Sequence, residues 1–263
     1  IQVASELRRQ GFTGIGALEL LSMSNILDFD EIVRTKAGIN NVPDNDTERW
    51  ESIVQELRSC VGKDPVFETI VNDMQEILPC TPLQDAMLVE TARQPRAYCN
   101  VLRLTVPSEV SVEKVRQALF ALAEKHAALR SGFCTSGVPY CAYAQVIWKA
   151  MAASQFACVE SLTTGWSVLN QQTLLRPLNF QYKSSDAGAE LLVNIHHALY
   201  DQWSVEVILE DLETLLQDEE TPERPSFGAV NKFFGLRKRE DQTPHLGFWG
   251  EYLSGATPSR LPN

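Results

Sequence analysis

Nowhere does the sequence hold the roughly 18 to 20 consecutive apolar residues needed to cross a bilayer, and its start lacks the basic and apolar pattern of a secretory signal. A cytoplasmic location is therefore expected. Positive charge is also short: 23 Lys and Arg stand against 34 Asp and Glu, for a net charge of −11. Such a field repels phosphate backbones and anionic lipid, so neither nucleic acid nor a membrane is an expected partner. The six cysteines (Cys60, Cys80, Cys99, Cys134, Cys141, Cys158) include no C-x-x-C pair and no histidine at zinc-finger spacing. They read as reduced core thiols, and no metal is expected. An initiator methionine is absent and the first residues already sit in a helical pattern, so the chain is expected to continue upstream. No internal repeat or low-complexity tract stands out.

What the 263 residues do hold is 44% hydrophobic content, ample for one large domain or two modest ones. Three stretches separate by composition. Residues 1–36 carry short amphipathic helical patterns broken by Gly11, Gly14 and Gly16. Residues 37–75 open on the turn-rich AGINNVPDND and continue into two helical patterns, one on Trp50, Ile53, Val54 and Leu57, the other on Phe67, Ile70, Met74 and Ile77, closed by Pro79. From 76 to 263 strands and helices alternate. A strand is expected over Tyr98–Val106, a helix capped by Ser111, strands over Val138–Trp148 and Glu190–Ile195 (the last central), and a helix capped by Ser204. Alternation of this kind implies an α/β domain with helices covering a sheet.

The most informative stretch is LLVNIHHALYDQWS, residues 191–204: an apolar strand, two histidines, a short loop with Asp201, then a helix. Neighbouring side chains at a strand end point to opposite faces, so His196 and His197 diverge; one is expected to face a cleft and the other to support the loop. Imidazole titrates near pH 6.5, which suits a group that takes a proton and returns it within one reaction. Asp201 lies where its carboxylate could fix the histidine loop through a salt bridge. Three readings remain open on these residues alone: a catalytic group, satisfied surface or core histidines, and a metal site. The last is weakened because the rings diverge and no third ligand converges.

HHALYDQ at 196–202 resembles the His-His-x-x-x-Asp-Gly signature of nonribosomal peptide synthetase condensation domains and the related epimerisation domains. PCTPLQDAML at 79–88 looks like the opening block of that family, KHAALRSGF at 125–133 like its Arg-His-Glu-x-Leu-Arg-Thr-x-Phe block, and FWGEYLSGATPSRLP at 248–262 like the segment closing its first lobe. Four blocks in order make a specific match. IQVASELRRQGF resembles the helix after the phosphopantetheine-bearing serine of a carrier domain, and SNILDFDEIV its last helix. The combined wording is most similar to fungal siderophore synthetases.

The resemblance implies a chloramphenicol-acetyltransferase-like lobe of α+β sandwich type, preceded by a helical carrier-domain fragment. It further implies amide or ester formation between a carrier-bound acyl thioester and a carrier-bound nucleophile. His197 would be the central group, as a base or by positioning the amine. His196 and Asp201 would be supports, with Arg130 either the partner of Asp201 or a solvated helix-end cation. Thr81, Pro82 and Gln84 would start the first helix. The implied cofactor is 4′-phosphopantetheine on carrier domains, its attachment serine upstream of residue 1. The implied partners are the upstream and downstream carriers and a second lobe, without which the fragment is expected to be inactive. Gln202 stands where the family has Gly, Lys125 where it has Arg, and Ala127 where it has Glu. A carrier-docking module without catalysis and an epimerisation domain are the competing readings.

Overall fold

A computed structural model describes residues 45–65, 67, 71–163, 171–185, 188–238 and 243–256. The expected helices of residues 1–36 and most of the turn-rich stretch after them lie outside these residues. The chain divides between Arg49 and Trp50, and the second unit, Trp50–Asn263, contains every described strand.

Helix α1 (Asn45–Val61) begins just before its expected caps, Asp46 and Thr47, and buries Ile53, Leu57 and Val61. Gly62 follows at once, as expected of a helix stop. The helix expected to run through Ile77 is not formed there: after a 3-10 turn at Val71–Asp73, Met74–Pro79 is strand β1. Met74 and Ile77 fit a helical period, but Ile77 and Leu78 are both buried because the segment pairs antiparallel with β4 (Tyr143–Trp148), Ile77 opposite Val146. Sheet pairing outweighs local periodicity here, since Ile77 and Leu78 gain both ladder partners and burial. Pro79 is tolerated because β1 is an edge of its sheet, ordered β1-β4-β3, with β3 at Ser131–Thr135.

Helix α2 (Pro82–Arg93) starts as expected from Thr81, whose hydroxyl accepts from the Gln84 N–H while Gln84 returns a bond to the Thr81 N–H, with Pro82 at the first turn. Strand β2 (Cys99–Val106) and helix α3 (Val112–Lys125), capped by Ser111, also match expectation. After α3 come β3 and β4, then the short β5 (Phe156–Cys158) and a one-turn helix α4 (Gln171–Leu174). Strands β6 (Leu178–Ser185) and β7 (Gly188–His196) precede helices α5 (Gln202–Leu216), α6 (Gly228–Lys238) and α7 (Thr243–Tyr252). The strand expected over Val138–Trp148 begins only at Tyr143, because Ser136 ties the preceding loop through Val138 and Cys141.

The second sheet has the order β2-β7-β6-β5, with β7 antiparallel to both neighbours, so it is interior as expected. Leu191, Val193 and Ile195 of β7 share a core with Leu88 of α2, Leu119 and Leu122 of α3, Phe180 of β6 and Leu212 of α5. Each such side chain contributes about 1.5–3 kcal/mol on burial. A separate cluster joins Leu57, Ile77, Val146 and Trp148 with Leu236 of α6. Gly132 of β3 lies against the main chain that leads into β6: a Cβ added at Gly132 would lie 1.9 Å from the Leu175 carbonyl oxygen. Trp148 reaches the same group, its indole N–H donating to that oxygen at 2.7 Å.

Candidate active site

The interior strand β7 ends at His196, and the chain turns through a single 3-10 turn, His197–Leu199, before α5. The two rings diverge. His196 is fully buried, and both its nitrogens are engaged: Nδ1 accepts from the Ala198 N–H at 3.1 Å, and Nε2 lies 2.8 Å from Thr91 Oγ1 of α2. An Nδ1 that accepts carries no proton, so the neutral ring holds its proton on Nε2 and donates to Thr91. Burial, and after it the charge of neighbouring His197, push this ring down from 6.5 to about 4. His196 is thus a neutral structural pin at physiological pH.

His197 is half-buried and is engaged through its other side. Its Nδ1 lies 2.9 Å from the Tyr200 carbonyl oxygen, which can only accept, so Nδ1 carries a proton and, in the neutral ring, Nε2 is the nitrogen with the lone pair. The main-chain N–H of His197 donates to the Tyr98 carbonyl at 2.8 Å. Tyr98 adopts φ +59° to present that carbonyl, an uncommon conformation for a residue with a side chain and one that clusters at functional loops. The Tyr200 ring lies 4.8 Å from the imidazole, and the Tyr200 hydroxyl accepts from Asn100 Nδ2 of β2 at 2.6 Å. Below the loop, Gln84 Nε2 donates to the Ala198 carbonyl at 3.0 Å.

Asp201 does not brace the histidine loop by a salt bridge. It is the N-cap of α5, its Oδ1 accepting the Ser204 N–H at 2.8 Å and the Ser204 hydroxyl at 2.5 Å. These two bonds hold its carboxyl below the usual carboxylate value. Ser204, expected to be the cap, is instead the third residue of the helix and answers as the acceptor of the Asp201 N–H at 2.7 Å. An Asp is at least as good a cap as Ser, and Asp201, three places earlier, has the extended backbone a cap needs.

Arg130 is not the partner of Asp201. Its Nη1 donates to Gln75 Oε1 at 2.5 Å and to the Trp148 carbonyl, which ties the turn before β3 to the first sheet. Burial lowers its guanidinium. Gln202, in the place of the family's Gly, extends along the outside of α5, its amide donating to Glu206 at 2.8 Å. Among the described residues no three His, Cys, Asp or Glu side chains converge on a common point. Nor is any described helix long and apolar enough to cross a membrane.

The residues the sequence did not mark are Thr91, Tyr98, Asn100 and Tyr200. Tyr200 lies inside HHALYD, and the four-residue spacing from His197 to Asp201 is itself a signal that a local carbonyl could serve the ring. Of the other three, Thr91 is a helix position and Tyr98 and Asn100 lie at the start of an expected strand, without a local pattern to single them out.

With His197 presented in this way at the end of an interior strand, the comparison with known proteins is decisive. The condensation-domain model matches residues 74–263. The chain belongs to the condensation-domain family. Nonribosomal peptide synthetase 2 of Cochliobolus heterostrophus is 34% identical over 265 residues, covering 100% of this chain and 5% of that protein. Nonribosomal peptide synthetase sidC of Arthroderma benhamiae is 30% identical over 267 residues, with the same coverage of 100% and 5%. The chain therefore spans about 5% of the length of these relatives. Among solved structures, one named CT superposes with a TM-score of 0.58 at 18% identity, over 76% of this chain and 50% of that one. The condensation domain from the monacolin K polyketide synthase MokA gives 0.54 at 16% identity, over 73% and 46%. At such identities the likeness is one of fold, the α/β condensation-domain fold of chloramphenicol-acetyltransferase type that the sequence motifs imply.

Proposed function

We propose that this condensation-domain chain forms an amide or ester bond between an acyl thioester on an upstream carrier domain and a nucleophile on a downstream one. The observation that carries the reading is the 2.9 Å contact of His197 Nδ1 with the Tyr200 carbonyl on a half-exposed ring, which in the neutral imidazole makes Nε2 the base. The substrates arrive on phosphopantetheine arms, which supply the activated carbonyl and a thiol leaving group.

The chemistry asked of the chain is modest. As the amine nitrogen bonds to the thioester carbon, His197 Nε2 accepts the proton the nitrogen must lose. The carbon–sulfur bond then breaks, and the same proton goes from Nε2 to the departing sulfur, leaving the ring neutral. An α-amine has a pKa near 8, so about a tenth is neutral at pH 7, and His197 need not create the nucleophile but must hold it in line and take its proton. His196 keeps the loop in place through Thr91, and Asp201 does so by capping α5.

Residues 1–36 are assigned to the end of a carrier domain, residues 37–75 to a linker and residues 76–263 to the first lobe. Support comes from the carrier-like wording of IQVASELRRQGF and SNILDFDEIV. The relatives named sidC support assignment to a siderophore-type fungal synthetase. A second reading, a docking lobe without catalysis, is favoured by Gln202, which stands where the family's Gly would allow close approach of backbone and substrate.

The test is a condensation assay in the full-length synthetase with both carriers loaded. His197→Ala is expected to lower the rate by roughly 10²–10⁴-fold, the usual contribution of a general acid-base group. Unchanged turnover would remove the catalytic reading, and a wild-type protein that binds loaded carriers without product would establish the docking one. The 263-residue chain assayed alone is expected to give no amide, which is in keeping with its alignment to only half of the solved chain named CT.

A further inference from the structure

The Tyr200 carbonyl that reads the His197 ring belongs to the same peptide unit as the Asp201 N–H. In a trans peptide these two groups point in opposite directions and turn together, because the unit is planar. One end of the unit accepts His197 Nδ1–H at 2.9 Å, and the other donates to Ser204 Oγ at 2.7 Å. Rotating this plane to release Ser204 would swing the carbonyl off the imidazole as well.

The serine hydroxyl is itself fixed, since its own proton goes to Asp201 Oδ1 at 2.5 Å while the Ser204 N–H donates to the same oxygen at 2.8 Å. A second restraint acts on the preceding side: the Tyr200 side chain is held by Asn100 on β2, and the Tyr200 N–H donates to the His197 carbonyl at 3.3 Å. Asn100 stands opposite Ile195 in the β2–β7 ladder, so this restraint is anchored in the sheet.

The geometry points to Ser204 as a positioning residue that, together with Asn100, locks the Tyr200–Asp201 peptide plane and thereby fixes the proton of His197 on Nδ1. The bonds of Ser204 at this turn all go to Asp201 and none to an imidazole. Its effect passes through one peptide bond, and it turns a helix-capping arrangement into a selector of which imidazole nitrogen is basic. Without the lock, the ring is free to carry its proton on Nε2, where it donates and no longer accepts. The value of this for catalysis rests on the proposed role of His197 as a base, but the structural claim does not.

The experiment is a two-dimensional long-range ¹H–¹⁵N spectrum of the 263-residue chain with ¹⁵N-labelled histidine, at neutral pH. His196 provides an internal reference, because it holds the opposite tautomer. In the wild type His197 should show the Nδ1–H signature and His196 the Nε2–H signature. In Ser204→Ala the Nδ1–H to Nε2–H ratio of His197 should fall about fivefold, the weight of one net hydrogen bond of about 1 kcal/mol, with His196 unchanged. Ser204→Thr, which keeps the hydroxyl, should retain the wild-type ratio.

An unchanged His197 ratio in S204A overturns the proposal. So does a shift of His196 alongside His197, which would report general loosening, and so does an S204T that behaves like S204A. If S204A does not fold, Asn100→Leu carries the test by removing the second restraint, and a retained wild-type ratio there is equally fatal. The spectrum needs no turnover, so a failed condensation assay and a failed tautomer test are distinguishable.

Discussion

Lowering the pH should destabilise this chain through one buried ring, and the size of the effect follows from the position of His196. The imidazole is fully buried, Nδ1 is used by the Ala198 N–H, and the folded ring titrates at about 4 against 6.5 when unfolded. Between these values the unfolded chain binds a proton that the folded chain refuses. Stability is therefore complete above pH 6.5 and is lost progressively as pH falls toward 4. The interval from 6.5 to about 4 is about 2.5 pH units, and at 1.36 kcal/mol per unit it represents about 3 kcal/mol. About 2 kcal/mol of this should be gone at pH 5. Asp201 acts in the same direction but in another window, since a carboxyl held low by Ser204 loses its contribution only as pH falls below about 4. The assay is urea denaturation at half-unit steps from about pH 7.5 to 4.5, from above the free value of the ring to just above its folded value, on the wild type and on His196→Asn, which removes the titrating ring and keeps an acceptor near the Ala198 N–H. The two stability curves should converge as pH falls. Curves that stay parallel from about pH 7 to 5 would mean that the ring is protonated within the fold, and the account of His196 as a neutral pin would be wrong.

Gly132→Ala places a methyl 1.9 Å from the Leu175 carbonyl oxygen, with backbone on both sides; it should cost more than about 3 kcal/mol or prevent folding, readable as lost cooperative unfolding. Asp201→Ala should lower stability by about 1 kcal/mol through loss of the α5 cap, measured by thermal unfolding. Because Arg130 is bonded to Gln75 and Trp148 rather than to Asp201, the cycle of Arg130→Ala, Asp201→Ala and the double variant should be additive to within about 0.5 kcal/mol. A coupling above about 1 kcal/mol would restore the ion pair.

Where the sequence was read correctly, local and tertiary preferences agreed. Thr81, Pro82 and Gln84 form a capping box that is complete within four residues, and Val101 to Val106 alternate as a half-exposed strand should. The misreadings lie where tertiary pairing decided. Met74 and Ile77 fit a helix equally well, and only their pairing to β4 makes them a strand. Strands β3, β5 and β6 passed unseen, the first because RSGFCT is short and interrupted by the glycine that the close approach of Leu175 demands. At the site, the sequence marked His197 and Asp201 and left Arg130 as either the partner of Asp201 or a solvated helix-end cation. The helix N-terminus gave Asp201 a nearer partner in Ser204, and Arg130 is bonded to Gln75 and Trp148. The choice of ring nitrogen was out of reach, because it depends on where a main-chain carbonyl points.

The histidine turn is sewn to the chain about a hundred residues earlier: Ala198 to Gln84, His196 to Thr91, His197 to Tyr98 and Tyr200 to Asn100. Its shape is thus written in two distant segments at once. Anyone grafting residues 191–204 onto another scaffold would move the lettering of the motif and leave its mould behind. The smallest portable unit includes residues 81–100, and chimeras between condensation domains should keep both segments from the same parent.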